Sequence, residues 1–222
     1  LDACLYLVYD HNAPYDQWSQ HQDSHGNNYT TPPLCAIFGL HVDDIIGCGD
    51  NNNATFQHFR QQLQSSFTFR TWEEDSPSFD YCGAEITRHS PYHYHLGHEK
   101  YLAKQKPISF EAKETEDRPV TEKERTALRA TIGALQWPAG QSSPHLQAGI
   151  SQLAGLVPSA TTATLREANK ALRFAKQHAD VGLEFQHLGD KQDLTVLAYC
   201  DAAFASRHDN TSQGGYLVAI TH

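Results

Sequence analysis

The chain has 222 residues, 39% of them apolar, enough to bury a core as one large domain or two small ones. No run reaches the roughly 20 apolar residues of a membrane-spanning helix, and a formal charge of −9 argues against a nonspecific nucleic-acid binder of the basic-patch kind, although 14 His residues soften that balance in mild acid. Five cysteines, at 4, 35, 48, 82 and 200, form no CxxC pair and are odd in number, which indicates neither a zinc ribbon nor a disulfide framework and points to a reducing compartment.

In chain order, Cys4 to Tyr9 reads as a strand, and the polar stretch His11 to Pro33 as a long hairpin loop with little structure of its own. A second strand, Cys35 to Leu40, turns at Val42-Asp43-Asp44 and returns through Ile45-Ile46. Asn53 is placed to cap a helix whose apolar stripe is Phe56, Phe59, Leu63 and Phe67, a stripe read as core rather than as a base-stacking platform. Phe79 to Ile86 and Tyr92 to Leu96 read as strands around a turn at Arg88 to Pro91, followed by a short helix over Glu99 to Lys106.

Glu111 to Val120 is a charged, Pro-punctuated linker, and Thr121-x-x-Glu124 is a capping box. Three helical stripes follow: Leu128, Ile132 and Leu135; Leu146, Ile150, Leu153 and Val157; Leu165, Ala168, Leu172 and Ala175. They predict a three-helix subdomain, with Trp137-Pro138 breaking its first helix and Gly182 capping its last. Strands are expected at Leu183 to Gln186, Leu194 to Tyr199 and Gly215 to Ile220, with Asp201 where one of them ends. The chain opens inside a strand without Met and stops just after another, so it is expected to be a piece of something longer.

The pair Asp43-Asp44 interrupts an apolar run between two strands. Anions beside a hydrophobic strand are costly unless a cation or a turn open to water receives them. A hairpin tip that fixes carboxylates on rigid backbone suits divalent-metal chemistry, as in two-metal phosphoryl transfer.

At these residues the chain resembles the reverse transcriptase of copia-type LTR retrotransposons, over nearly its whole length. His41-Val42-Asp43-Asp44 with Ile45-Ile46 is similar to the palm motif that family writes Tyr-Val-Asp-Asp, and Phe79 to Arg88 resembles its Phe-Leu-Gly-x-Glu-Ile-x-Arg hairpin. Leu96 to Leu102 resembles the entry to the thumb; Pro119-Val120 and Arg129 to Trp137 resemble the Tyr-Arg-x-x-Ile-Gly-x-Leu stretch. Tyr199-x-Asp201-Ala-x-x-Ala and Ser212-x-Gly214-Gly215-Tyr216 are similar to the start of an RNase H domain. His41 departs from the usual Tyr, and Ser143-Pro144-His145-Leu146 stands where the family tends to write Thr-Arg-Pro-Asp-Ile.

The resemblance implies an α+β chain: the C-terminal part of an antiparallel palm sheet with a covering helix, and the start of the thumb, over residues 1–110, a helical thumb and connection over 111–187, and the truncated start of an RNase H-like domain over 188–222. It implies RNA-directed DNA synthesis with two Mg²⁺ (or Mn²⁺) ions in the intact parent, Asp43 and Asp44 serving the polymerase metals, His41 and Val42 near the incoming nucleotide, and Asp201 the RNase H metals. The implied partners are an RNA template, a DNA primer, deoxynucleotides and the rest of a Pol polyprotein, with no membrane, in a cytoplasmic particle or the nucleus. The upstream polymerase Asp and the downstream RNase H carboxylates of that family are not in this chain, so the other expectation is a non-catalytic relic that at most binds nucleic acid or a partner.

Two further groups bear on function. Lys100, Lys104 and Lys106 lie where contacts to a nucleic-acid backbone are expected, diluted by Glu111, Glu114, Glu116 and Asp117. His93, His95 and His98 could begin a transition-metal site, but no carboxylate or Cys is spaced to finish a shell, and the favoured reading is a polar strand edge.

Overall fold

The structure, a computed structural model, describes residues 4–111, 113, 117–189, 194–205 and 210–221. It is a mixed α+β chain of antiparallel sheets and helices that divides into two units, Leu1–Ser76 and Pro77–His222.

The first unit runs β1 (Leu5–Tyr9), β2 (Ser19–Gln22), β3 (Asn28–Thr31), β4 (Leu34–His41), β5 (Asp44–Gly49) and α1 (Ala54–Ser66). Strands β1, β4 and β5 form an antiparallel sheet in that order, and α1 covers it through Phe56, whose ring lies 6.1 Å from that of Phe38 on β4. Asn53 caps α1 as expected, its side chain accepting from the Phe56 amide at 3.1 Å. The Asp10 carboxylate accepts from Asn53 Nδ2 and Thr55 Oγ1, each at 2.7 Å, tying the end of β1 to the helix start. The bond from Thr55, followed by that from Asn53, holds this carboxyl below its usual range.

Two expectations for this unit change. Residues 11–33 are not a bare loop, because Asp23 accepts from the amides of His25 and Asn27, both at 2.8 Å, closing a turn that pairs β2 with β3. Phe67 does not belong to the α1 stripe: the helix stops at Ser66, and Phe67 has extended backbone and is exposed.

The second unit runs β6 (Ser78–Tyr81), β7 (Ala84–Ser90), β8 (His93–Gly97), α2 (Glu99–Lys104), α3 (Glu122–Gln141), α4 (Gln147–Leu156), α5 (Thr162–Gln177), β9 (Leu183–Phe185), β10 (Thr195–Ala203) and β11 (Gln213–Thr221). Phe79 to Ile86, expected as one strand, is a hairpin, because Cys82 (φ 52°) and Gly83 (φ 79°) are both left-handed, the requirement of a two-residue turn of this hand. After the helices the chain returns as β9 to pair with β8, completing the sheet β6-β7-β8-β9. Gly182 makes that return possible. Rather than capping α5, it lies against β8, where a Cβ would overlap the Leu96 carbonyl and the His95 ring.

All three predicted helical stripes meet in one core, where Leu128, Leu165 and Ala168 have no exposed surface. The capping box forms in both directions, the Glu124 amide donating to Thr121 Oγ1 and the Thr121 amide to Glu124. Arg118 grips the same carboxylate with both terminal nitrogens at 2.8 and 2.9 Å and brings its pKa down to about 2. Pro138 does not break α3, which continues to Gln141. The buried proline forgoes one amide, and its carbonyl accepts from the amides of Ser142 and Ser143.

Candidate functional site

The Asp-Asp pair sits on a two-residue hairpin. The β4–β5 register is unbroken from Ala36 opposite Gly49 to His41 opposite Asp44, leaving Val42 and Asp43 as the loop. Val42 has φ 54°, a left-handed conformation that a β-branched residue adopts only under strain, on the order of 1–3 kcal/mol. Turns of this kind prefer Asn-Gly or Asp-Gly, so Val42-Asp43 is a local conflict of the sort found at functional sites. Val42 is 85% exposed, and His41, Asp43 and Asp44 are exposed with it. Water therefore receives both carboxylates, and the desolvation cost argued from their apolar neighbours does not arise.

Asp43 and Asp44 are oxygen donors of the type Mg²⁺ takes, one or two carboxylates with waters and phosphates completing the shell. Two carboxylates alone do not complete such a shell. Among the described residues no three His, Cys, Asp or Glu side chains stand together ready to hold a metal. Asp10 follows the end of β1 that pairs with Leu34, away from the tip, and is committed to α1.

Asp201 lies within β10 and not at its end, since pairing with β11 continues past Asp201–Gly215 to Ala203–Gln213. It is exposed, and its Oδ1 accepts from the Ala202 amide at 2.8 Å. Asp43 and Asp201 belong to different units.

Lys100 is not a free cation. Its Nζ is 2.9 Å from Asp80 and 3.5 Å from Glu85, and the bond to Asp80 foremost raises its pKa. Lys104 and Lys106 are exposed; Glu114 and Glu116 lie outside the described residues.

The three histidines near β8 part company. His98 turns inward, 1% exposed, with Nδ1 2.7 Å from Ser142 Oγ, its ring edge-on to Tyr101 and Trp137 and its Nε2 without a hydrogen-bond partner. Burial holds its pKa below the ordinary imidazole value. His93 and His95 share the other face and are joined by His89 of β7, whose ring is 4.9 Å from that of His93 and 6.3 Å from that of His95. Glu184 on β9 accepts from His93 Nε2 at 2.7 Å. His89 was legible as a third histidine just across a tight turn. Glu184, 91 residues from His93, carried no local signal.

No protein-family model, no curated protein and no solved structure matches the chain. Among the described residues no helix is long and apolar enough to cross a membrane.

Proposed function

We propose that this chain is a segment of a copia-type retrotransposon Pol polyprotein, carrying the catalytic hairpin of its reverse transcriptase palm, the thumb and connection, and the opening hairpin of RNase H. The observation that carries the reading is the strained two-residue tip, with Val42 left-handed and Asp43 and Asp44 exposed on an unbroken ladder. A plain surface turn has no need of a β-branched residue there.

In this reading Asp43 and Asp44 hold divalent cations beside the primer terminus, and His41 and Val42 lie against the incoming nucleotide. The Mg²⁺ ions, when bound, activate the primer 3′-hydroxyl and stabilise the leaving pyrophosphate. The ladder keeps both carboxylates fixed while substrates exchange, and a third carboxylate comes from elsewhere in the polyprotein. Strands β10 and β11 support the RNase H assignment by composition. Leu197, Tyr199 and Leu217 lie on one face and Val196, Val218 and Ile220 on the other, the pattern of strands covered on both sides in a larger sheet.

The test is primer extension on an RNA template by the polyprotein that bears this segment. Asp43→Asn is expected to abolish extension, by 10³-fold or more on the order of a lost metal ligand, with the fold retained. Full activity in that variant would sink the reading. The second reading, a non-catalytic relic, draws on the lack, among the described residues, of a third side chain grouped with Asp43 and Asp44 to hold a metal, and on the pairing of Lys100 with Asp80; it predicts no extension even by the unaltered sequence.

A further inference from the structure

We infer that β11 is an interaction surface for a second copy of this chain, the two β11 strands pairing antiparallel across a two-fold axis so that two hairpins join into one four-stranded sheet, β10-β11-β11-β10. The contact is argued from the hairpin alone and does not rest on the polymerase reading.

An open strand edge is the first argument. A strand at a sheet margin presents amides and carbonyls that template another strand, and proteins guard such margins with short strands, bulges, prolines or charges. The margins formed by β1, β2, β3, β5, β6 and β9 are guarded by their length of three to six residues, and the pairing of β1 is also bulged at Val8–Tyr9. Strands β10 and β11 have nine residues each, in a register unbroken from Thr195–Thr221 to Ala203–Gln213. Among the described residues no further strand pairs with either. The two margins of this hairpin differ. On β10 the Asp201 carboxylate takes the Ala202 amide at 2.8 Å, which engages one donor and sets a negative charge on the strand. On β11 there is neither a charged residue nor a proline. One guarded margin and one open margin give a closed pair rather than a filament.

The second argument is that β11 complements itself. A two-fold contact requires a strand to match its own reverse. Centred on Leu217, the pairing uses every residue from Gly214 to Ile220 and sets Tyr216 opposite Val218, Gly215 opposite Ala219 and Gly214 opposite Ile220, each pair occurring twice. An aromatic ring against a β-branched side chain is a favourable cross-strand pair, and no like charges meet. Tyr216, Leu217, Val218 and Ile220 are each more than half exposed in the single chain, so the contact has apolar surface to bury. One strand edge buries less than the about 1,600 Å² of a standard interface, and interfaces of that size already weaken to micromolar at their low end. Dissociation on the order of tens of micromolar is therefore expected.

Sedimentation of the whole chain, at concentrations from well below to well above that value, tests the contact. A reversible monomer–dimer equilibrium is expected, with nothing larger than a dimer. Leu217→Lys and Leu217→Glu each set like charges opposite one another on the axis, and each chain alone is expected to stay monomeric. An equal mixture of the two is expected to recover the dimer, because Lys then stands opposite Glu. Val196→Lys places a charge on an apolar face of β10, away from the pairing edge, and is expected to leave dimerisation unchanged. Circular dichroism of each variant reports helix content, which lies outside the hairpin and is expected to be retained. A chain monomeric at every concentration would overturn the inference, as would open-ended association, a dimer that survives Leu217→Lys, or a mixture that stays monomeric. Loss of the dimer in Val196→Lys would overturn it too, since stacking of faces and not pairing of edges would then hold the copies together.

Discussion

Helices α3 to α5 and the β10–β11 hairpin are both rich in apolar residues, yet one buries them and the other does not. Leu128, Leu135 and Leu165 are at most 1% exposed, whereas Val196, Tyr199, Leu217 and Val218 are each more than half exposed. A helix with one apolar stripe completes its burial with two short neighbours in sequence, so the bundle closes from a single stretch of chain. Paired strands apolar on both faces need covering layers that two strands cannot supply.

The sharpest way to break this contrast is truncation in each region. Leu128→Ala is expected to destabilise by about 2–5 kcal/mol, as a cavity in a closed core does, and Leu217→Ala by less than about 0.5 kcal/mol. Denaturant unfolding of both variants checks this, and equal losses would mean the hairpin is covered in solution. Next in size is Gly182→Ala. Its methyl group overlaps β8, so a loss of about 1–3 kcal/mol and release of β9, seen as faster amide exchange at Leu183 to Phe185, is expected.

Smaller effects come from protons. His98 is buried with its pKa depressed, so the unfolded chain binds a proton more readily, and stability should be full above the ordinary imidazole value of 6.5 and fall as pH drops below it. His145, depressed by burial and by His178, adds to the same slope. Melting temperature followed across that range should decline, and His98→Gln should flatten the decline; an unchanged slope would show that His98 is not the responsive group. Glu124 acts lower. Its pKa of about 2 against an ordinary 4.5 means that its grip on Arg118 and Thr121 is complete above pH 4.5 and is lost as pH falls toward 2. Glu124→Gln should remove that part of the acid sensitivity, readable as helix content by circular dichroism.

How legible each part was follows from the range of the interactions that made it. The α1 cap at Asn53, the Thr121–Glu124 box and the three helical stripes depend on residues three or four apart, and the structure reproduces them. The break expected at Pro138 failed because the proline sits in the last turn of α3, buried in the core, and its carbonyl is satisfied by the amides of both Ser142 and Ser143. The hairpin hidden in Phe79 to Ile86 was missed because Cys82 gives no sign of a left-handed backbone, although Gly83 beside it does. For the candidate site, the carboxylate pair on a turn was readable; its exposure and the strain at Val42 were not.

Periodicity, capping and turn chemistry in the sequence determined an α+β chain with a helical bundle and an Asp-Asp hairpin, since these are local properties of the polymer. Only the tertiary structure decided what the histidines do. It turned His98 into the core against Ser142, drew His89 to His93 and His95, and delivered Glu184 on a strand that returns after four helices, α2 to α5. Side chains so far apart in sequence meet only because hydrogen bonding between β8 and β9, and the room left by Gly182, place the two strands side by side.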